Sequence, residues 1–426
     1  MSPFRTMSGM ALPSRRSLLS LAAGGALTAG LPACSIPTRL AAVPRGRASA
    51  ATVLGVPNER FFPAQAAGQA ALQREFVAAV ERQLVSRGLP PTAPLPELDL
   101  LGISGGGENG AFGAGLLNGW TERGGRPTFF LVTGISTGAL SAPFAFLGSA
   151  WDPQLKSVYT DITLADVLVR RGYTAAIWND GMADNSPLFR TISRYLDEPM
   201  LAEIARAYEA GRLLLIGTSN LDAQMPVIWN IGAIARSGHP KAPDTIRRIL
   251  LASSAIPGAF SPVLFDVTLD GQPFQELHVD GGAYAQVFLY PVSVSRFRRE
   301  RMARRLPVAP ARAWVIRNGP LDPEWTSVNR RTLGITGRAI ATMISAMGFN
   351  DVLRIYAAAE RDGVDYNLAF IGRDFTVEYD EPFAQSYMRP LFEYGRERAL
   401  RGNAWVRQPP LGAGPTGVGP ASPQQP

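Results

Sequence analysis

The sequence is poor in cysteine, histidine and lysine, and each scarcity excludes a class of site. One cysteine, Cys34, among 426 residues excludes an intramolecular disulfide. Two histidines, His239 and His278, form no cluster with cysteine of the kind that holds zinc, so we expect no metal. Lys156 and Lys241 are the only lysines, and no zinc-finger, RNA-binding or helix-turn-helix pattern accompanies the arginines. We therefore expect no nucleic-acid partner.

The first 33 residues are typical of an export signal. Basic residues without any acid precede an apolar run, Leu18–Leu31, that is too short and too rich in glycine to span a membrane. The Arg15-Arg16 pair before it looks like a twin-arginine signal. The Leu-Pro-Ala sequence before Cys34 resembles the lipobox of bacterial lipoproteins. We expect residues 1–33 to be removed and acyl chains on Cys34 to anchor the exported protein to a membrane surface of a bacterial cell envelope. An ordinary secretory signal, with Cys34 incidental, is the alternative.

The rest of the chain divides by its residue pattern into four segments. These are a tether with one helix at 34–97, a catalytic domain at 98–295, an extension packed on that core at 296–404 and a disordered tail at 405–426. Strand-like and helix-like stretches alternate from Leu98 onwards, which is typical of a three-layer α/β/α fold with a mainly parallel central sheet. The first segment contains apolar residues at every fourth position, one face of a helix: Leu72, Phe76, Val80 and Leu84.

Two glycine-rich turns follow apolar, strand-like stretches. The first turn, Gly105-Gly106-Gly107-Glu108-Asn109-Gly110, follows Leu98–Ile103. The second, Gly134-Ile135-Ser136-Thr137-Gly138, follows Thr128–Val132. A Gly-x-Ser-x-Gly turn between a strand and a helix exposes a strained serine hydroxyl. A glycine loop at a helix start presents backbone N–H groups that can hold an oxyanion. The pair predicts a hydrolase that works through an acyl-enzyme, with Ser136 as the nucleophile.

Asp280 is the candidate general base for this serine. It ends a strand-like stretch and is followed by Gly281 and Gly282. Because the carboxyl ends of parallel strands meet at one edge of a sheet, Asp280 can reach Ser136 there. Burial would raise the pKa of its carboxyl towards that of a useful base.

A histidine base is the alternative. His239, in a loop, could be the last member of a Ser, Asp, His triad of the α/β-hydrolase type. His278 lies two residues before Asp280, on the same face of the strand, and could reach the site as a neighbour or a base.

Taken together, the motifs resemble those of the patatin-like phospholipase family. That family combines a glycine-rich oxyanion loop, a Gly-x-Ser-x-Gly elbow and an Asp-Gly-Gly or Asp-Gly-Ala motif, and acts through a Ser–Asp dyad without histidine. The stretch Ala252–Phe260 is also similar to one that precedes the Asp motif in these proteins. The resemblance implies that Ser136 is the nucleophile, that Asp280 accepts its proton and that Gly105–Gly107 form the oxyanion hole. It also implies a lipid or phospholipid ester as substrate and no cofactor.

One position departs from the family pattern. The glycine loop usually has Arg or Lys just before its last glycine, where this chain has Asn109. A cation there would help to hold a phosphate head group or to orient the loop. Esterase and lysophospholipase activities therefore stay open, as does a non-catalytic envelope lipoprotein that keeps the fold as a binding module.

Two further stretches offer surfaces for a lipid. The aromatic-rich region 151–197 could form an acyl pocket or a lid, or pack as ordinary core. A run of arginines follows the strand of Asp280 and could face anionic head groups, or be a solvated face. Its members are Arg296, Arg298, Arg299, Arg301, Arg304 and Arg305.

Overall fold

The computed structural model describes residues 38–90, 93–171, 180–379 and 381–410. The predicted signal peptide and the predicted anchor at Cys34 lie outside the described residues.

The helices and strands of the described residues follow the predicted alternation. The helices are α1 (Ala66–Ser86), α2 (Gly110–Arg123), α3 (Thr137–Leu147), α4 (Asp152–Thr160), α5 (Leu164–Val167), α6 (Ser186–Tyr195), α7 (Glu198–Glu209), α8 (Ile231–Arg236), α9 (Ala242–Ser253), α10 (Val292–Ala303), α11 (Thr332–Asp362) and α12 (Gln385–Arg401). The strands are β1 (Arg60–Phe61), β2 (Leu98–Ile103), β3 (Leu131–Gly134), β4 (Val169–Arg170), β5 (Ala183–Asp184), β6 (Leu213–Asn220), β7 (Met225–Asn230), β8 (Val263–Leu269), β9 (Gln272–Asp280), β10 (Ala311–Arg317) and β11 (Asp365–Phe370).

A nine-stranded sheet organises the fold. Its main path is β1-β7-β6-β3-β2-β10-β11, and β9 branches from β6 and carries β8. The five strands from β6 to β11 along this path are parallel, whereas β1, β7, β8 and β9 pair antiparallel with their neighbours. The predicted class, α/β with a mainly parallel central sheet, is confirmed.

Helices cover both faces of this sheet. All six residues of β2 are buried, and they alternate between two apolar cores. Leu101 and Ile103 face the core that contains α2 and α3, while Leu98 and Leu100 face the core that contains α1 and the C-terminal part of α11. Burial on both faces accounts for the mainly apolar sequence of β2, in which the one charged residue, Asp99, accepts hydrogen bonds from Arg312 and Trp314.

The segment predicted as a C-terminal extension contributes to this same sheet. β10 pairs with β2 on one side and with β11 on the other. The helix α12 packs closely on α2. At Gly115 the two backbones are so close that a Cβ would lie 1.9 Å from the carbonyl oxygen of Phe392, so only glycine fits there. Residues after 291 therefore complete the layers around the first motif strand, and where a domain boundary falls stays a prediction.

The disordered tail was predicted to begin at residue 405, but the first residues of that segment are packed against the rest of the protein. The Trp405 ring lies 4.9 Å, centroid to centroid, from the rings of Trp120 and Trp314. Val406 forms a β-bridge with Leu368 of β11. Trp405 and Val406 thus pack on the core, and residues 411–426 lie outside the described residues.

In the part of the chain that the structure describes, no helix combines the length and the apolar character that crossing a membrane requires.

Candidate active site

Ser136 lies in a tight turn between β3 and α3, at the edge where the parallel strands end. Its backbone has φ 55° and ψ −126°, a strained conformation for a residue with a side chain. A Cβ on Gly134 would lie 2.4 Å from the carbonyl oxygen of Gly138, and one on Gly138 would lie 2.2 Å from that of Ile103. Both motif glycines are therefore needed for the backbone to turn this sharply.

Asp280 reaches this edge by a different route from the one predicted. β9 is antiparallel to β6, not parallel, and Asp280 pairs with Thr218. β6 continues past Ile216, the partner of Gly134, as far as Asn220. β9 therefore starts beyond the edge of the parallel strands and ends with Asp280 at the level of the serine turn.

The two side chains form a buried acid–hydroxyl pair. Ser136 is 7% exposed and Asp280 is 5% exposed. Burial raises the pKa of the Asp280 carboxyl to about 7, although hydrogen bonds from the Ser136 hydroxyl and from the Gly282 N–H oppose the rise. The Gly282 N–H donates to Asp280 Oδ1 at 2.6 Å, which fixes the carboxyl. A carboxyl with a pKa near neutrality is a much better base for a hydroxyl proton than an ordinary aspartate.

The glycine loop presents two of its three predicted donors. The Gly105 N–H donates to the backbone oxygen of Gln286 at 3.0 Å, so it is already engaged. Within the described residues, the N–H groups of Gly106 and Gly107 have no acceptor. Gly105 instead packs against Ser136, since a Cβ there would lie 3.2 Å from Ser136 Cβ. The geometry favours Gly106 and Gly107 as the oxyanion donors.

Ser253 supports the serine turn from beneath. Its hydroxyl accepts a hydrogen bond from the Ser136 N–H at 3.1 Å and donates to the Gly217 carbonyl at 2.7 Å. The neighbouring Ser254 hydroxyl donates to the Ser136 carbonyl at 3.4 Å. The Ser-Ser pair in the stretch Ala252–Phe260 thus hydrogen-bonds both backbone groups of Ser136.

Gln286 joins two of the motifs. Its backbone oxygen accepts from Gly105, and its side-chain Nε2 donates to the Gly282 carbonyl at 3.0 Å. Asp351, on α11, accepts from the Gln286 N–H at 2.7 Å. Neither residue belongs to a motif, so the sequence pattern predicts no role for either.

Arg317, the last residue of β10, and Asn318, which follows it, hold the start of the glycine loop. Asn318 Nδ2 donates to the Ser104 carbonyl at 3.0 Å, and the Asn318 N–H donates to the Ser104 hydroxyl at 2.8 Å. Arg317 Nη1 donates to the Gly105 carbonyl at 3.2 Å. Arg317 is 5% exposed, and burial lowers the pKa of its guanidinium to about 10. The only sequence signal for this pair was two polar residues directly after the predicted strand Trp314–Ile316.

Asn109, the residue that departs from the family pattern, is hydrogen-bonded by a residue of α12. The Tyr387 hydroxyl, on α12, donates to Asn109 Oδ1 at 2.7 Å. In the predicted lid region, the buried Tyr159 hydroxyl donates to the Thr137 carbonyl at 2.9 Å and so supports the first turn of α3. Residues 172–179 of that region lie outside the described residues.

The two histidines lie away from the serine turn. His278 is fully buried, and its ring contacts the Thr218 hydroxyl at 2.9 Å and Glu276 Oε2 at 3.1 Å. Because the Glu276 carboxylate can only accept, His278 Nε2 carries the proton and donates to it. Nδ1 of the neutral ring then accepts from the Thr218 hydroxyl, which itself accepts from Trp229 Nε1. Burial lowers the pKa of His278 and keeps the ring neutral. His239 Nδ1 accepts from the Lys241 N–H within a loop at 3.1 Å. Neither ring contacts Ser136 among the described residues.

Fold and site together define an α/β protein with a strained serine elbow, a partner carboxyl and a glycine loop with free donors. Residues 101–292 match the family model described as patatin-like phospholipase. The chain therefore contains a patatin-like phospholipase domain, and at the family level this supports lipid acyl hydrolysis.

Solved structures similar to this chain include VipD from Legionella pneumophila. It is 12% identical, with a TM-score of 0.32, and the match covers 73% of this chain and 68% of that one. Among curated protein sequences, none matches this chain.

Proposed function

We propose that this protein hydrolyses carboxylic esters of lipids through Ser136, Asp280 and an acyl-serine intermediate. The observation that carries the proposal is the contact between a buried carboxyl with a pKa of about 7 and the hydroxyl of a serine in a strained elbow. Such a carboxyl can accept the serine proton at neutral pH without a histidine.

The first half-reaction forms the acyl-serine. Asp280 takes the proton from Ser136 Oγ as that oxygen attacks the ester carbonyl. The N–H groups of Gly106 and Gly107 hydrogen-bond the oxyanion that develops. When the tetrahedral species collapses, the C–O bond to the alcohol breaks and Asp280 returns the proton to the leaving oxygen. The products of this step are an alcohol or lysolipid and an acyl-serine.

The second half-reaction releases the acid. Asp280 takes a proton from a water molecule, whose oxygen attacks the acyl carbonyl within the same oxyanion hole. Ser136 Oγ then leaves and recovers the proton from Asp280, and a fatty acid is released. Each oxyanion donor of this kind contributes about 3 kcal/mol in other hydrolases.

The site of action follows from the N-terminal sequence. We propose that the protein is exported and held at a bacterial envelope membrane through acyl chains on Cys34. Replacing Cys34 with serine should then release the chain from washed membranes, and retention of the variant there would contradict the anchor.

Substitution of each proposed group tests the chemistry. In the full chain, Ser136→Ala and Asp280→Asn should abolish turnover of p-nitrophenyl esters and phospholipid vesicles. The double variant His239→Ala/His278→Gln should keep turnover per folded molecule. Loss of activity in the histidine variant together with an active Asp280→Asn would replace the Ser–Asp mechanism with a histidine triad. No turnover of any ester by the natural chain would favour a binding protein.

A further inference from the structure

A cavity of about 550 Å³ lies on the face of the sheet that α1 and α10 cover. We propose that it binds a single-chain amphiphile, a long acyl chain with an anionic head group, at a site separate from the catalytic centre. This inference does not depend on the ester hydrolysis proposed above.

The cavity lies at the end of the sheet opposite to the serine turn. Its floor includes Leu98 and Leu100 of β2, and the candidate active site begins at Ser104, where that strand has ended. Four residues of strand separate Leu100, the nearer of the two, from Ser104, roughly 13 Å. The segment 287–289 packs on β2 at Gly102, between the two places. An acyl chain in this cavity therefore does not reach Ser136.

The walls of the cavity suit an acyl chain. One wall is the predicted apolar stripe of α1, of which Leu84 is buried whereas Phe76 and Val80 are only partly covered. The opposite wall includes Val294 and Phe297 of α10. The volume falls within the range of roughly 300–1,000 Å³ that small-molecule sites occupy. An acyl chain bound against this apolar lining removes apolar surface from water, which is favourable.

The charges around the cavity favour an anionic head. Arg301 lines it, and the Arg301 Nε donates to the Pro307 carbonyl at 2.8 Å, whereas within the described residues its two terminal nitrogens have no partner. Glu81, exposed on α1, is the one carboxylate among the lining residues. A guanidinium with two free donors matches a carboxylate or a phosphate.

Arg298, in contrast, has a structural role. Its guanidinium donates to the carbonyls of Asp362 at 2.8 Å and Gly363 at 3.1 Å, and also to that of Ala309. These contacts tie α10 to the end of α11 and to the start of β10. Arg301 is therefore the residue to alter when the head-group contact is tested.

Fluorescence titration with cis-parinaric acid tests the cavity, in full chain that carries Ser136→Ala so that no ester is turned over. Val80→Trp fills the cavity from α1, and Val80→Ala at the same position leaves it open. We expect saturable binding that Val80→Trp weakens at least tenfold and that Val80→Ala changes less than twofold. Binding of parinarate at the catalytic edge would be the same in both variants, so equal titrations would overturn the proposal.

The head-group contact is tested by competition. Oleate, oleoyl lysophosphatidic acid and oleyl alcohol displace parinarate in parallel titrations, with and without Arg301→Gln. We expect this substitution to weaken the two anions at least fivefold and to leave the alcohol unchanged. The relative affinity of the two anions identifies the carboxylate or the phosphate as the better head. Equal losses for all three ligands would overturn the anionic head.

Photolabelling locates the bound ligand without any substitution, so its result does not depend on whether a variant folds. A diazirine-bearing fatty acid, added to the unaltered full chain, should label peptides from α1 or α10. Labelling confined to peptides from the loops after β2 and β3 would contradict the site. A dimer in light scattering that excludes parinarate would assign the cavity to a second copy of the chain instead.

Discussion

The Arg317 guanidinium donates a hydrogen bond to the carbonyl oxygen of Gly105, 3.2 Å away. Because C=O and N–H point in opposite directions across a trans peptide, this contact turns the Gly106 N–H away from Arg317. The charge also polarises that peptide. Arg317 therefore supplies, from a strand late in the chain, a cation for the glycine loop that has Asn109 where the family usually has Arg or Lys.

Arg317→Met should lower kcat for ester hydrolysis by about 100-fold with little change in KM, since the oxyanion donor at Gly106 loses its orientation. Arg317→Lys, which keeps a charge but not the fork of donors, should fall between.

Arg212→Met is the matched control for Arg317. Burial also lowers the pKa of Arg212 to about 10, and its guanidinium likewise donates to backbone carbonyls, those of Phe129 and Phe146, but at the other end of the sheet. This variant should lose stability and keep kcat per folded molecule. Equal kcat losses in the two variants would assign Arg317 a purely structural role.

The pH dependence of activity should report Asp280. The carboxylate form is the base, and burial raises the pKa of this carboxyl to about 7. We expect kcat/KM to rise with pH and to level off above an apparent pKa of about 7 in steady-state kinetics on a neutral ester. A rise centred near pH 4 would mean that Asp280 is an ordinary carboxylate and not the buried base.

Asp280→Asn should stabilise the fold at neutral pH while it removes activity. The folded-state pKa of Asp280 lies above the ordinary value of 3.8, so the natural residue loses stability as pH rises from about 4 through 7. Asparagine does not ionise, so the variant does not lose this stability. The difference in unfolding free energy between variant and natural chain, measured by denaturant titration, should grow over that interval and then stay constant. A difference independent of pH would contradict the raised pKa.

Ser253→Ala should impair the nucleophile more than Ser254→Ala does. The first change leaves the Ser136 N–H and the Gly217 carbonyl buried without partners, at a cost of about 1–3 kcal/mol each. The second removes only a long contact of 3.4 Å. Thermal unfolding and the labelling rate of Ser136 by a fluorophosphonate compare the two, and equal labelling rates would argue against the support from Ser253.

Arg60 and Glu276 should prove structural. Arg60 Nη1 and Glu276 Oε2 form an ion pair of 2.6 Å that is almost completely buried, next to His278. Arg60→Met leaves the Glu276 charge buried alone and should cost about 3–5 kcal/mol of unfolding free energy. Adding Glu276→Gln removes that charge, keeps an acceptor for His278 and should recover part of the loss. Ester turnover per folded molecule should be unchanged in both, and a selective loss of turnover would link this cluster to catalysis.

The sequence was most informative where a short motif fixes local geometry. The bounds of β2 agree with the predicted Leu98–Ile103, because a strand buried on both faces is mainly apolar. β3 begins at Leu131, later than the predicted Thr128, and extends to Gly134. The serine turn and the glycine loop were found because each needs glycines at fixed positions.

The orientation of the Asp280 strand was predicted wrongly although a signal for it exists. Val263, Phe265, Val267 and Leu269 alternate with less buried residues in β8, which the sequence analysis did not identify. Asp270-Gly271 then links β8 to β9, both with positive φ, as in a tight hairpin. A hairpin makes the two strands antiparallel. Asp280 meets Ser136 because β6, on which β9 pairs, extends beyond its parallel neighbours.

Residues supplied by long-range pairing could not be found in this way. Gln286, Arg317, Asn318 and Asp351 touch the glycine loop or its supports because β10 pairs with β2 and α11 lies beside it. No spacing in the sequence encodes those contacts. Each becomes visible only once the strand order is known.

The pairing of β10 with β2 also bears on how the chain must be made. Residues 101–292 carry all three motifs, yet a fragment that ends there leaves one side of β2 without its hydrogen-bonding partner. An unpaired apolar strand recruits other chains and aggregates. More than 200 residues of sequence separate β2 from β10, so β10 is synthesised long after β2. Contacts between residues so far apart in the sequence slow folding. The glycine loop therefore gains the support of Arg317 and Asn318 only after most of the chain has been translated.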